Sequence, residues 1–147
     1  MLEVQLRNNA YINTRSSCRR ECWLPPNLGN LKLNYYASVL DDDGSCVGSG
    51  VVLRDSYGNL VLTVRDRVMS RLRPCVVELV DVITGLEVVI QGGWQVESVE
   101  TDCIEAVRLV NGEVANCFAK DGVLVENVRV LLALACANGV GFNHVPS

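Results

Sequence analysis

Three short runs that read as strands, 32–40, 46–53 and 59–64, follow one another with little between them. The first gap holds Asp41-Asp42-Asp43-Gly44 and the second Asp55-Ser56-Tyr57-Gly58. Alternation at period two is the signature of a half-buried strand, and Asp/Gly clusters of this length supply hairpin turns. The segment is therefore expected to form an antiparallel meander of three strands. A meander has one apolar face that must be covered, so the rest of the chain has to supply helices, further strands, or both.

It supplies both. Pro74 suits the first turn of a helix. After it, Leu79, Val82, Ile83, Leu86, Val89 and Ile90 recur at helical spacing as far as Gly92-Gly93. The valine content leaves a strand open as an alternative, while length and period favour a helix. Residues 95–99 alternate as a short strand, and Thr101-Asp102 offers a cap for a helix running to about Asn111. Residues 123–137 read as a second amphipathic helix, with Val125, Val128, Leu131, Leu132 and Ala135 along one face. Residues 139–145 read as a last strand. The order βββαβααβ is a mixed α/β layout.

Residues 1–30 lack an apolar period and carry Arg15, Arg19, Arg20 and Pro25-Pro26, as an arm or linker would; the domain is expected over 31–147. The first twelve residues have no basic start and apolar core of a secretory signal, and the greasiest stretch, 123–138, is too short and too interrupted to span a bilayer. With 13 Lys and Arg against 17 Asp and Glu, the net charge of −4 shows no general affinity for phosphates but suits a carboxylate site. The seven cysteines are odd in number and scattered, which suits reduced thiols in an intracellular protein, nuclear or cytoplasmic. Cys18 and Cys22 stand at Cys-x3-Cys spacing, but no second pair follows and the only histidine is remote, so zinc is not expected.

Five blocks resemble plant ribonuclease H-like domains, many of them relics of non-LTR retroelements. The first is Trp23-Leu24-Pro25-Pro26 with Gly29 and Lys32-Leu33-Asn34. The second is Gly48-Ser49-Gly50-Val51-Val52-Leu53-Arg54-Asp55 with Gly58. Glu78-Leu79 with Gly85-Leu86, then Glu100-Thr101-Asp102-Cys103, and finally Phe142-Asn143-His144-Val145-Pro146 complete the set. No block is specific alone; their order and spacing together are. The resemblance implies an α/β ribonuclease H-like fold: a mixed five-stranded sheet, three strands antiparallel, with helices on its faces. The C-terminal helix of that fold is expected to be missing, because the sequence stops at Ser147.

The resemblance also implies a chemistry, hydrolysis of the RNA strand of RNA–DNA hybrids by two Mg²⁺ ions ~4 Å apart held by clustered carboxylates. Glu78 matches the family's helix glutamate and Asp102 the aspartate ending its fourth strand, so both are candidate metal ligands. His144 matches a loop histidine thought to help product leave. The first-strand aspartate, which bridges both metals, falls on Tyr36, and a neutral phenol is a poor Mg²⁺ ligand. The last aspartate falls beyond Ser147. Read singly, Glu78 is a helix-surface charge, Asp102 an N-cap, His144 a polar residue near a frayed end, Asp41–Asp43 a solvated turn, and Trp23 a residue packing the arm onto the sheet edge. Read jointly, Glu78, Asp102 and His144 are the remnant of a catalytic set. The expectation is a nucleic-acid-binding domain for RNA–DNA hybrid or RNA, catalytically impaired, with at most one weakly held Mg²⁺ and no membrane partner. The alternatives are an active hybrid ribonuclease and a decayed fragment without biochemical role.

Overall fold

The structure, a computed structural model, describes residues 3–6, 23–39, 46–69, 73–112, 119–136 and 141–145. The meander forms from β2 (Lys32–Val39), β3 (Cys46–Arg54) and β4 (Leu60–Met69), paired antiparallel in sequence order. The β3–β4 turn works as its composition demands. The Asp55 carboxylate accepts the backbone N–H groups of Tyr57 and Asn59, and Gly58 takes the left-handed conformation at φ +81°. Strand β4 runs five residues beyond the expected Val64, because its polar residues 65–67 continue the pairing with β3. The turn expected at Asp41–Asp43 lies outside the described residues, as do Cys18, Cys22 and the arginines at 15, 19 and 20.

Helix α1 (Pro74–Gln91) follows, with proline in its first turn and Gly93 at φ +75° just past its end. Then come β5 (Ser98–Thr101), α2 (Ile104–Val110), α3 (Ala119–Ala135) and β6 (Phe142–His144). β5 pairs parallel with β2, and β6 pairs parallel with β5. The expected five-stranded mixed sheet is therefore present. A sixth strand, β1 (Glu3–Leu6), comes from the segment expected to be an arm and pairs antiparallel with β4, giving the order β1-β4-β3-β2-β5-β6.

Alternation sorts each strand between two faces. Leu33, Tyr35, Val51, Leu53, Leu62, Val64, Val99 and Phe142 are buried and share one core with Leu79, Val82, Leu86 and Val89 of α1. Tyr35 fixes the approach, since its hydroxyl donates to the Val82 carbonyl at 2.9 Å. α3 packs on α1, and Arg129 of α3 donates to the carbonyls of Leu109 and Val110 at the end of α2, where the Gly112 N–H also reaches Leu109. On the other face, Trp23 lies flat between Lys32 and Arg54 and donates to the Asn34 side chain at 2.9 Å. Trp23 thus packs on the face of the sheet over its central strands, not at its edge.

Two boundaries differ from expectation for one reason. β5 begins later than residue 95 and ends at Thr101, and the cap of α2 is Cys103 instead of Thr101-Asp102, with no side-chain cap. Thr101 is spent on another element, as the site shows. α3 begins at Ala119, four residues before the expected start, and ends at Ala135, two before the expected end.

The α1–β2 contact sets a test. A Cβ on Gly85 would stand 2.6 Å from the Tyr35 hydroxyl oxygen and 2.9 Å from a Val51 methyl. Gly85→Ala should therefore lower stability by about 1–3 kcal/mol through overpacking, although alanine is the better helix former by about 1 kcal/mol. A urea midpoint that rises in the variant would contradict this packing.

Candidate functional site

Parallel pairing places the ends of β2, β5 and β6 side by side, the region where sheets with parallel strands commonly bind ligands. Tyr35, Thr101 and His144 form one row across the three strands. Tyr36 and Asp102 each lie one residue beyond that row. The positions singled out in the sequence therefore meet at one end of the sheet.

Thr101 is the hub. It is almost fully buried, and its hydroxyl donates a very short hydrogen bond to Glu78, which projects from the second turn of α1 and is only 2% exposed. The same oxygen accepts the Cys103 N–H at 3.1 Å. Burial raises the Glu78 carboxyl above its ordinary value, the Thr101 hydrogen bond opposes the rise, and the nearby negative charge of Asp102 adds to it. Glu78 is thus not a helix-surface charge, and Asp102, half-buried beside it, does not cap α2. His144 is exposed on β6. Tyr36 is 43% exposed, and alternation turns it away from α1 while its neighbour Tyr35 is buried beneath the helix.

Two features escaped the sequence reading. Asp81, one turn after Glu78, is 5% exposed; Ser49 donates to it, while its second oxygen, Oδ2, has no hydrogen-bond partner. Burial pushes its carboxyl up to about 7, and the charges of Glu78 and Asp66 push the same way. The available signal was an acidic residue on the apolar side of a helix, at i+3 from Glu78. The second is a thiol pair. Cys75, buried in the first turn of α1, shares a hydrogen bond with Cys103, raising Cys75 and lowering Cys103 to about 7.

On the sheet's other face, Lys32 pairs with Glu100 at 2.7 Å, and Asn34 donates to the same carboxylate at 3.0 Å. Glu100 is therefore neutralised, and it is not free to join a metal site. Among the described residues no three His, Cys, Asp or Glu side chains converge as a cation site needs. Two carboxylates alone do not fit a two-Mg²⁺ centre, in which clustered oxyanions must neutralise four charges.

The profile of the reverse transcriptase-like family matches residues 34–146. The chain belongs to that family. Among curated proteins none matches it in sequence. Among solved structures it is similar to ribonuclease H1 of the halophilic archaeon Halobacterium salinarum, with 19% identity, TM-score 0.65, and 80% of this chain and 86% of that one covered. It is similar to LC11-RNase H1, isolated from compost and solved with an RNA/DNA hybrid, at 18% identity and TM-score 0.65 over 79% and 85% of the two chains. It is also similar to the foamy viral protease-reverse transcriptase bound to an RNA/DNA hybrid, at 15% identity and TM-score 0.59 over 91% of this chain and 20% of that one. At these identities the solved structures establish the ribonuclease H-like fold, in agreement with the resemblance drawn from the five blocks.

Asp81 provides a pH test. Its raised value means that the folded chain keeps a proton that the unfolded chain loses above about pH 4. Stability on this account is fully present below pH 4, falls as pH rises to about 7, and levels off above it. Asp81→Asn should raise stability by roughly 2–4 kcal/mol at pH 8 and leave it nearly unchanged at pH 4. Equal effects at the two pH values in denaturation curves would contradict the burial of an uncompensated carboxylate.

Proposed function

We propose that this reverse transcriptase-like domain binds nucleic acid of the RNA–DNA hybrid class and does not cleave it efficiently. The observation that carries the reading is Tyr36. It occupies the first-strand position where the resemblance calls for the carboxylate bridging both metals, and among the described residues no three His, Cys, Asp or Glu side chains converge as a cation site needs. A phenol ionising near pH ~10 brings no negative charge there at neutral pH. Binding is supported by kinship. LC11-RNase H1 and the foamy viral enzyme, similar in fold, are seen with RNA/DNA hybrids. Mg²⁺, if held, is held singly and weakly between Glu78 and Asp102, with His144 at the margin. The plant retroelement origin suggested by the blocks and an intracellular setting belong to the same proposal.

The test uses a labelled RNA–DNA hybrid with folded protein and Mg²⁺. Saturable binding by fluorescence anisotropy is expected, weakening as salt rises, with cleavage no faster than in Glu78→Gln. Tyr36→Asp alone is expected not to restore turnover. Cleavage that the Glu78→Gln variant abolishes would make this an active hybrid ribonuclease and overturn the impairment.

A further inference from the structure

The hydrogen bonds around Thr101 bring two cysteines of distant sequence together. Cys75 and Glu78 stand three residues apart in α1 and so share a face of the helix. Glu78 accepts the Thr101 hydroxyl, and the same Thr101 oxygen accepts the Cys103 N–H. That chain of contacts returns Cys103 to the helix face from which Cys75 projects. Each thiol is the other's strongest electrostatic neighbour, which closes the ring. Both cysteines are unpaired and pack on the same core, Cys75 3% exposed and Cys103 half-buried. A buried thiol touching a more accessible one is the arrangement of a resolving and a reacting cysteine.

We propose that Cys75 and Cys103 form a modification site, a dithiol that a hydroperoxide oxidises to a disulfide. Cys103, the more accessible partner, attacks the peroxide. Its S–O bond forms as the O–O bond breaks, leaving a sulfenic acid and one water. Cys75 then attacks that sulfur, the S–S bond forms and the S–O bond breaks, and hydroxide leaves with the Cys75 proton as a second water. Two thiols lose two electrons and hydrogen peroxide gains them. The bond would tie the first turn of α1 to the start of α2, one residue from Asp102 and one helical turn from Glu78. It would therefore act on the two carboxylates that remain. The other buried cysteine described, Cys136, lies after α3 and joins no such ring.

Reduced, folded protein is treated with one equivalent of hydrogen peroxide, blocked with an alkylating agent and digested without reductant. The expected product is a Cys75–Cys103 linked peptide pair that has lost two hydrogens and that dithiothreitol separates. In Cys75→Ser the link is expected to vanish and Cys103 to be labelled by dimedone, which traps a sulfenic acid. Recovery of both cysteines alkylated from the oxidised wild-type protein overturns the proposal. So does a link from either to another cysteine. The wild-type map decides the matter even where a variant fails to fold, and neither outcome depends on nucleic-acid binding.

Discussion

Removing a carboxylate from water is costly unless a donor meets it, and in this chain that donor is the Thr101 hydroxyl held against Glu78. Much of the architecture follows from keeping that contact. It joins the second turn of α1 to the end of β5, and β5 pairs with β2, whose Tyr35 hydroxyl reaches back to α1 at Val82. Helix and sheet are thus latched at two points one helical turn apart, at Glu78 and at Val82. His144 takes its place in the same row of strand pairs, and Asp102 stands one residue beyond it.

The strands, the long helix and their order could be read from the sequence because each rests on local chemistry. Gly58 and Asp55 make a turn wherever they stand between alternating runs, and the apolar period from Leu79 to Ile90 has one way to be buried. What escaped depends on partners remote in sequence. β1 is too short to announce itself, and its pairing with β4 spans nearly sixty residues of chain. Thr101 looked like a cap because threonine before a helix commonly is one; its hydroxyl went to a glutamate 23 residues earlier instead. The candidate positions 78, 102 and 144 could be placed only through resemblance, since nothing in their spacing says that they meet. Asp81 and the Cys75–Cys103 pair needed coordinates.

The same latch bears on function. A glutamate serving as an interior hydrogen-bond acceptor has a structural role that does not depend on any metal. Glu78 and Thr101 can therefore persist in a domain whose first strand carries Tyr36. On the sheet's other face, Glu100 is satisfied by Lys32 and Asn34, and Trp23 covers the pair. Glu78 and Glu100 are thus both engaged with protein groups.

The central claim is that two carboxylates and a phenol do not make a two-metal centre. Its most direct test is the number of divalent ions bound, measured by titrating the folded protein with Mn²⁺ and following free Mn²⁺ by electron paramagnetic resonance. The account predicts no more than one weak site, lost in Glu78→Gln. Two ions bound per chain, both lost in that variant, would contradict it.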